Sequence, residues 1–180
     1  MNNTVIMDKN AVRRTVIRLS HEVLERNSDM RDVVLVGIKR GGEVVANRVR
    51  RYLFQQERID IPCAGIDIGM YRDDLVSEFF VPDATVNRFG FDVTDKTVVL
   101  CDDVLHTGRS VRAAIEGLFS MGRPKGIQLL VLVDRGGREL PVRADFVGKN
   151  VPTSRAERIE VDFEELGAPE DRLYITKLGQ

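Results

Sequence analysis

Apolar residues along this chain follow two rhythms that alternate. Over residues 11–27, Val12, Val16, Leu19 and Val23 recur at helical spacing, which predicts a helix with Arg14, Arg18 and His21 on its other sides. Residues 33–38 form a continuous apolar run rich in β-branched side chains, the pattern of a strand buried on both faces. The run ends in the turn Lys39-Arg40-Gly41-Gly42, and a helix carrying Val45 and Val49 is predicted over about 43–54. A second strand is read at 63–68 and a third at 97–101. Over 110–121, Val111, Ala114, Ile115, Leu118 and Phe119 follow the i, i+3, i+4, i+7, i+8 rule of an amphipathic helix, which Gly122 and Pro124 stop. Further strands are predicted at 127–133 and 144–147.

Strands alternating with helices predict an α/β fold with a mostly parallel sheet covered on both faces. Such sheets hold ligands beyond the carboxyl ends of their strands. Three polar clusters stand at those ends: Lys39-Arg40-Gly41-Gly42, residues 102–110, and Asp134-Arg135-Gly136. Residues 70–95 mix Asp, Arg, Asn, Pro and Gly without sustained periodicity, and read as a functional loop, in part a β-ribbon.

Composition narrows the setting. The length of 180 residues fits a single domain over 1–180. No stretch is apolar enough to span a membrane, and the first ten residues lack a signal-peptide core, so a cytoplasmic location is expected. Cys63 and Cys101 sit far apart in apolar runs and read as buried thiols, with no zinc-type spacing. With 27 basic and 28 acidic residues the net charge is −1, which gives no global attraction to nucleic acid and leaves only a local basic patch to consider.

The chemistry concentrates in Val98-Val99-Leu100-Cys101-Asp102-Asp103-Val104-Leu105-His106-Thr107-Gly108-Arg109-Ser110. A strand delivers two adjacent carboxylates to the sheet edge, and Thr107-Gly108-Arg109-Ser110 then opens a helix. Unpaired N–H groups at a helix start bind phosphate, Gly108 permits close backbone approach, and the Thr107 and Ser110 hydroxyls add donors. An anion site beside a pair of hydrogen-bond acceptors describes ribose 5-phosphate, a phosphate with a vicinal diol. The acid pair repels a bare polyphosphate, and the Walker pattern is absent.

This segment closely resembles the signature by which type I phosphoribosyltransferases hold 5-phosphoribosyl-1-pyrophosphate (PRPP). Val36-Gly37-Ile38-Lys39-Arg40-Gly41-Gly42, Tyr71-Arg72-Asp73-Asp74, Gly122-Arg123-Pro124, Val133-Asp134-Arg135-Gly136, Arg138-Glu139-Leu140-Pro141 and Gly148-Lys149-Asn150-Val151-Pro152-Thr153-Ser154 extend the likeness over nearly the whole chain. Together they resemble the PyrR family, bifunctional pyrimidine operon regulators with uracil phosphoribosyltransferase activity. The resemblance implies a type I phosphoribosyltransferase fold, with a central mostly parallel sheet flanked by helices, a small hood and a flexible β-ribbon loop. It implies the reaction of uracil with PRPP to give UMP and pyrophosphate, with Mg²⁺ as cofactor.

By the same resemblance, Asp102 and Asp103 hold the ribose hydroxyls directly or through Mg²⁺. Thr107, Gly108, Arg109 and Ser110 hold the 5-phosphate, and Val104, Leu105 and His106 join them in the PRPP-binding set. Lys39, Arg40 and Gly41 receive pyrophosphate, although that segment reads equally well as a solvated basic turn. Residues 70–88 correspond to a closing loop with Tyr71, Arg72 and Asp73 as its working residues, and Arg72 is counted with Asp102, Asp103 and His106 as catalytic. Arg135 joins the PRPP set, and Asp134, Phe146 and Val147 are the candidate base contacts. His106 departs from the family's usual Tyr, while purine-specific relatives carry an acid there. An imidazole at that place either moves a proton near neutral pH or is a tolerated loop residue.

PyrR proteins also bind pyr-operon leader RNA under the influence of UMP. The family's basic face maps here to Arg18, His21, Arg26, Arg138, Arg143 and Lys149, residue types suited to phosphates and unpaired bases. Arg18, Glu22 and Arg26 are also spaced for an ordinary surface ion-pair ladder. The family's Thr is Ile17 here and its His is Gly137, which removes two groups able to contact RNA. A homodimer or homotetramer is expected from the family.

Overall fold

The computed structural model describes residues 4–69 and 89–177. Five strands form one parallel sheet: β2 (Val33–Ile38), β3 (Cys63–Ile66), β4 (Thr97–Leu105), β5 (Gly126–Asp134) and β6 (Phe146–Asn150), in the order β3-β2-β4-β5-β6. Successive side chains of a strand point to opposite faces, and two cores result. Val99 and Cys101 of β4 face a core shared with α1 (Lys9–Arg26) and α2 (Gly41–Tyr52). Val98 and Leu100 face a second core under α3 (Arg109–Met121).

A smaller antiparallel sheet, ordered β1-β8-β7, joins β1 (Thr4–Met7), β7 (Glu157–Asp162) and β8 (Arg172–Lys177). This is the expected hood. Its Ile159, Phe163 and Leu173 belong to the α1–α2 core. Its three strands carried no assignment from periodicity, because each is short and shows only one or two inward positions.

The helices begin earlier than apolar spacing indicates. Asp8 caps α1 by accepting from the Ala11 N–H at 2.7 Å, so the helix starts at Lys9 rather than residue 11. Similarly, α2 starts at Gly41 rather than 43. Strand β4 runs four residues beyond the predicted 101, so the acid pair lies inside the strand. Strand β6 is displaced from 144–147 to Phe146–Asn150. The predicted loop at 70–88, with Tyr71, Arg72 and Asp73, lies outside the described residues.

Both cysteines are thiols: burial pushes Cys63 up to about 11 and raises Cys101 as well. No helix among the described residues is long and apolar enough to cross a membrane.

Candidate active site and basic surface

The carboxyl ends of β2, β4 and β5 bring the three polar clusters to one edge. Gly37 pairs with Cys101, and Leu105 with Asp134, so the turn after β2 adjoins the acid pair and the turn after β5 adjoins His106. Asp102 is only 7% exposed. Burial, and then the neighbouring Asp103, push its carboxyl well above the usual carboxylate range. Its Oδ1 accepts from the Asp103 N–H at 3.0 Å, and Asp103 Oδ1 accepts from the Val104 N–H at 2.8 Å.

Asp103 Oδ2 lies where a side chain on Gly41 would begin: a Cβ there would stand 2.1 Å from it. The missing side chain therefore lets the second carboxylate sit against the start of α2. Lys39 and Arg40, joined by a cis peptide bond, are exposed beside it.

Beyond β4 the chain turns through Gly108, whose φ of +93° belongs to the left-handed region that favours glycine. Gly108 is the cap residue of α3. The Arg109 N–H reaches Thr107 Oγ1 at 3.3 Å, and the first-turn N–H groups of α3 face the loop. A carboxylate pair and a loop opening the N-terminus of α3, a geometry suited to an anion, thus share one strand end. The side chain of Leu105 is buried in the α3 core, so its place in the loop is that of backbone alone.

His106 is exposed at the loop entrance, with its imidazole against the Gly136-Gly137 turn. A Cβ on Gly137 would stand 2.9 Å from Nε2. Partial burial, and then the Arg135 charge, hold this imidazole below its ordinary value, so the ring is neutral at pH 7.

Several nominated residues belong elsewhere. Arg135 is 8% exposed and donates to Thr153 Oγ1 at 2.8 Å, to Glu157 O at 2.8 Å and to Ser154 O at 3.3 Å. Its head group ties the edge to the segment before β7 instead of facing the acid pair. Phe146 is 3% exposed, packed in the α1–α2 core and paired with Leu130, four residues short of the strand end at Asp134. It is a core residue, not a wall for a base. Val147, on the opposite face, packs against the α3 core. Asp134 accepts from the Gly136 N–H at 2.9 Å and from Arg138.

The six nominated surface cations divide into groups. Arg18 donates to Gly148 O at 2.6 Å and pairs with Glu22, while Arg26 pairs with Asp145 across to β6 rather than completing the ladder. Lys149 donates to Ile6 O at 3.2 Å. Arg14, Thr15, Arg18 and Lys149 line a notch of about 310 Å³ between α1, β1 and β6. Arg14 was not nominated, although its i, i+4 relation to Arg18 is a usable signal. His21 turns toward α2, its Nε2 2.9 Å from the Tyr52 hydroxyl, and Ile17 lines the α1–α2 groove. Arg138 is drawn into the edge of the sheet by Asp134, and Arg143 is exposed.

Two carboxylates at one edge suit a hard divalent cation that takes few protein ligands and keeps water and phosphate oxygens. The raised Asp102 carboxyl is lowered again by any cation or hydroxyl pair that docks there. Among the described residues no group of three or more potential ligands forms an all-protein metal cage.

The sequence matches the phosphoribosyl transferase domain family over residues 3–165. It is 52% identical over 170 residues to the "Bifunctional protein PyrR" of Clostridioides difficile, covering 94% of this chain and 96% of that relative. It is 48% identical over 177 residues to that of Roseiflexus sp., covering 98% and 97%. In structure it is similar to the hypoxanthine phosphoribosyltransferase of Trypanosoma cruzi, with a TM-score of 0.71, 15% identity, and coverage of 97% of this chain and 96% of that one. The hypoxanthine phosphoribosyltransferase of Staphylococcus aureus aligns with a TM-score of 0.64 and 21% identity, over 97% and 92%. At those identities the likeness is one of fold.

Proposed function

The chain belongs to the phosphoribosyl transferase domain family and, within it, to the PyrR proteins, and from that premise we propose that it transfers the phosphoribosyl group of PRPP to uracil, giving UMP and pyrophosphate. The observation that carries this reading is the acid pair Asp102–Asp103 entering a phosphate loop from one strand, with the Lys39-Arg40-Gly41 turn seated on Asp103. Asp102 and Asp103 accept hydrogen bonds from the ribose hydroxyls. The N–H groups and hydroxyls of residues 107–110 hold the 5-phosphate, and Lys39 and Arg40 oppose the charge of the departing pyrophosphate. As N1 of uracil bonds to C1 of the ribose, the bond from C1 to pyrophosphate breaks and its electron pair leaves with pyrophosphate. The N1 proton passes to the neutral His106 imidazole or to water. Asp102 and Asp103 would hold Mg²⁺ directly or through water, and the bound ion would supply charge neutralisation for the departing pyrophosphate. With Mg²⁺, PRPP and uracil, the purified protein is expected to form UMP. Asp102→Asn and Asp103→Asn are expected to abolish turnover, and no turnover by the unaltered protein sinks the assignment.

A second role follows from the PyrR relationship: a cytoplasmic, UMP-responsive regulator that binds pyr leader RNA as a dimer or tetramer. The notch of Arg14, Arg18 and Lys149 supports it as a place for RNA phosphates. The measurement is a gel shift over a salt series, with and without UMP, for the wild type and for Arg18→Gln/Lys149→Gln. Binding is expected to weaken in the variant and its salt slope to fall by about 1 to 2. Wild-type binding no tighter than to a scrambled hairpin excludes regulation by this route.

A further inference from the structure

Three consecutive carbonyls of the phosphate loop are captured by the segment that follows β5. Leu105 O accepts from the Arg135 N–H at 3.0 Å. His106 O accepts from Arg138 Nη1 at 2.7 Å. Thr107 O accepts from the N–H groups of both Glu139 and Leu140, at 3.0 and 3.1 Å. Glu139 Oε2 also receives Arg109 Nε at 2.8 Å. Residues 135–142 therefore form a strap along the outer side of the loop.

Arg138 is the centre of that strap. Its Nε donates to Val142 O at 2.9 Å, its Nη1 to His106 O, and its Nη2 to Asp134 Oδ2, so all three guanidinium nitrogens are engaged. Its side chain is only 23% exposed. One planar fork thus joins the end of β5, the loop after β4 and the far end of the strap, a geometry that a lysine ammonium cannot reproduce. The consequence concerns the ligand. Carbonyl oxygens facing a bound phosphate repel it, whereas N–H groups attract it. Drawing the carbonyls of residues 105–107 outward leaves the inner side of the loop lined by donors.

We propose that Arg138 is a positioning residue for the 5-phosphate of the substrate, acting by holding the His106 carbonyl, between the Leu105 and Thr107 carbonyls that backbone N–H groups of the strap hold, away from the anion. This rests on the phosphoribosyl reading above and deepens it. It also gives Arg138 a role within the reaction, distinct from contact with RNA.

The test is equilibrium binding of three probes, PRPP, ribose 5-phosphate and inorganic pyrophosphate, to the wild type, Arg138→Lys and Arg138→Met. Both variants are expected to lose about tenfold in affinity for ribose 5-phosphate and PRPP, the worth of one or two hydrogen bonds that no longer orient the loop. Pyrophosphate, which meets the turn after β2, is expected to bind within about twofold of wild type. A purely structural role would lower all three affinities together. Should Arg138→Met fail to fold because Asp134 loses its partner, Arg138→Lys, which keeps that charge, decides the matter. Unchanged ribose 5-phosphate binding in Arg138→Lys overturns the proposal, as does an equal loss for pyrophosphate. Failure of the wild type to bind PRPP would instead sink the phosphoribosyl assignment itself.

Discussion

Adjacent glycines at the start of α2 are expected to answer the same substitution in opposite ways. In Gly41→Ala the new Cβ would stand 2.1 Å from Asp103 Oδ2 and 2.6 Å from its Cγ. Those atoms are the end of a side chain that can rotate. An off-rotamer carboxylate costs about 0.5–1.5 kcal/mol, and replacing glycine returns about 0.4–1 kcal/mol by restricting the unfolded chain. The two nearly offset, so Tm is expected to stay within a few degrees of wild type. Function takes the loss instead. A displaced Asp103 forfeits a charge-assisted hydrogen bond to the ribose, worth about 1.5–3 kcal/mol, or roughly a 10- to 150-fold fall in kcat/KM for PRPP. In Gly42→Ala the Cβ would meet Cys101 O at 2.3 Å and Asp102 Cα at 2.9 Å, which is backbone of the central strand. No rotation relieves that contact, so overpacking costs about 1–3 kcal/mol and lowers Tm by about 2–12 °C. Thermal melts and initial rates at subsaturating PRPP separate the two cases. A Gly41→Ala enzyme with wild-type kcat/KM would show that Asp103 does not hold the ribose. A Gly42→Ala protein with unchanged Tm would refute the close packing of α2 on β4.

Two further outcomes follow from ionisable groups. Arg48 pairs with Glu165 and with Asp171, at 2.6 Å to the latter's Oδ2, and Asp171 is 5% exposed. Arg48→Met strands that carboxylate and is expected to cost about 3–5 kcal/mol, a fall in Tm of about 6–20 °C; a loss under about 2 °C would mean that water solvates Asp171 after all. The second outcome concerns pH. His106 lies below its ordinary value, so its neutral form prevails at pH 7 and is lost only as pH falls below about 6.5. The wild-type rate is therefore expected to drop on that acid side, and His106→Asn to lack this limb while sharing any titration of the substrate. Superimposable pH profiles would remove His106 from the proton transfer.

The parallel sheet was legible because β2, β5 and the first half of β4 are dense apolar runs and α3 keeps its period for three turns, whereas β6 ends in Gly148-Lys149-Asn150 and was read two residues early. The hood was not, since strands such as β7 offer only Ile159 and Val161 as an inward pair amid charge. The acid pair and the phosphate loop were legible from order along one strand, a local property. What failed was side-chain direction. Phe146 and Val147 both looked available to a base, but a strand sends one to each face, and the register places Phe146 opposite Leu130, deep in the sheet. Arg135 resembles a ligand contact in sequence, and only the fold shows its donors committed to Thr153, Ser154 and Glu157. A cation's identity is written in the sequence, whereas its partner is set by residues far along the chain.

The same reasoning recasts the departures from the family pattern. By the family resemblance, Tyr is expected where His106 stands and His where Gly137 stands; taken singly these would be a changed loop residue and the loss of a proposed RNA contact. In the folded chain they touch. Gly137 has φ +74°, and a Cβ there would stand 2.9 Å from His106 Nε2 and 3.0 Å from Cδ2, so a side chain at 137 would require the imidazole to move. The imidazole occupies the place that a side chain at 137 would need, so positions 106 and 137 are neighbours whose substitutions would not act independently. Ile17, by contrast, lies in the α1–α2 groove, away from the notch of Arg14, Arg18 and Lys149. Neither Ile17 nor Gly137 lines that notch, so the phosphate contacts proposed there do not depend on either.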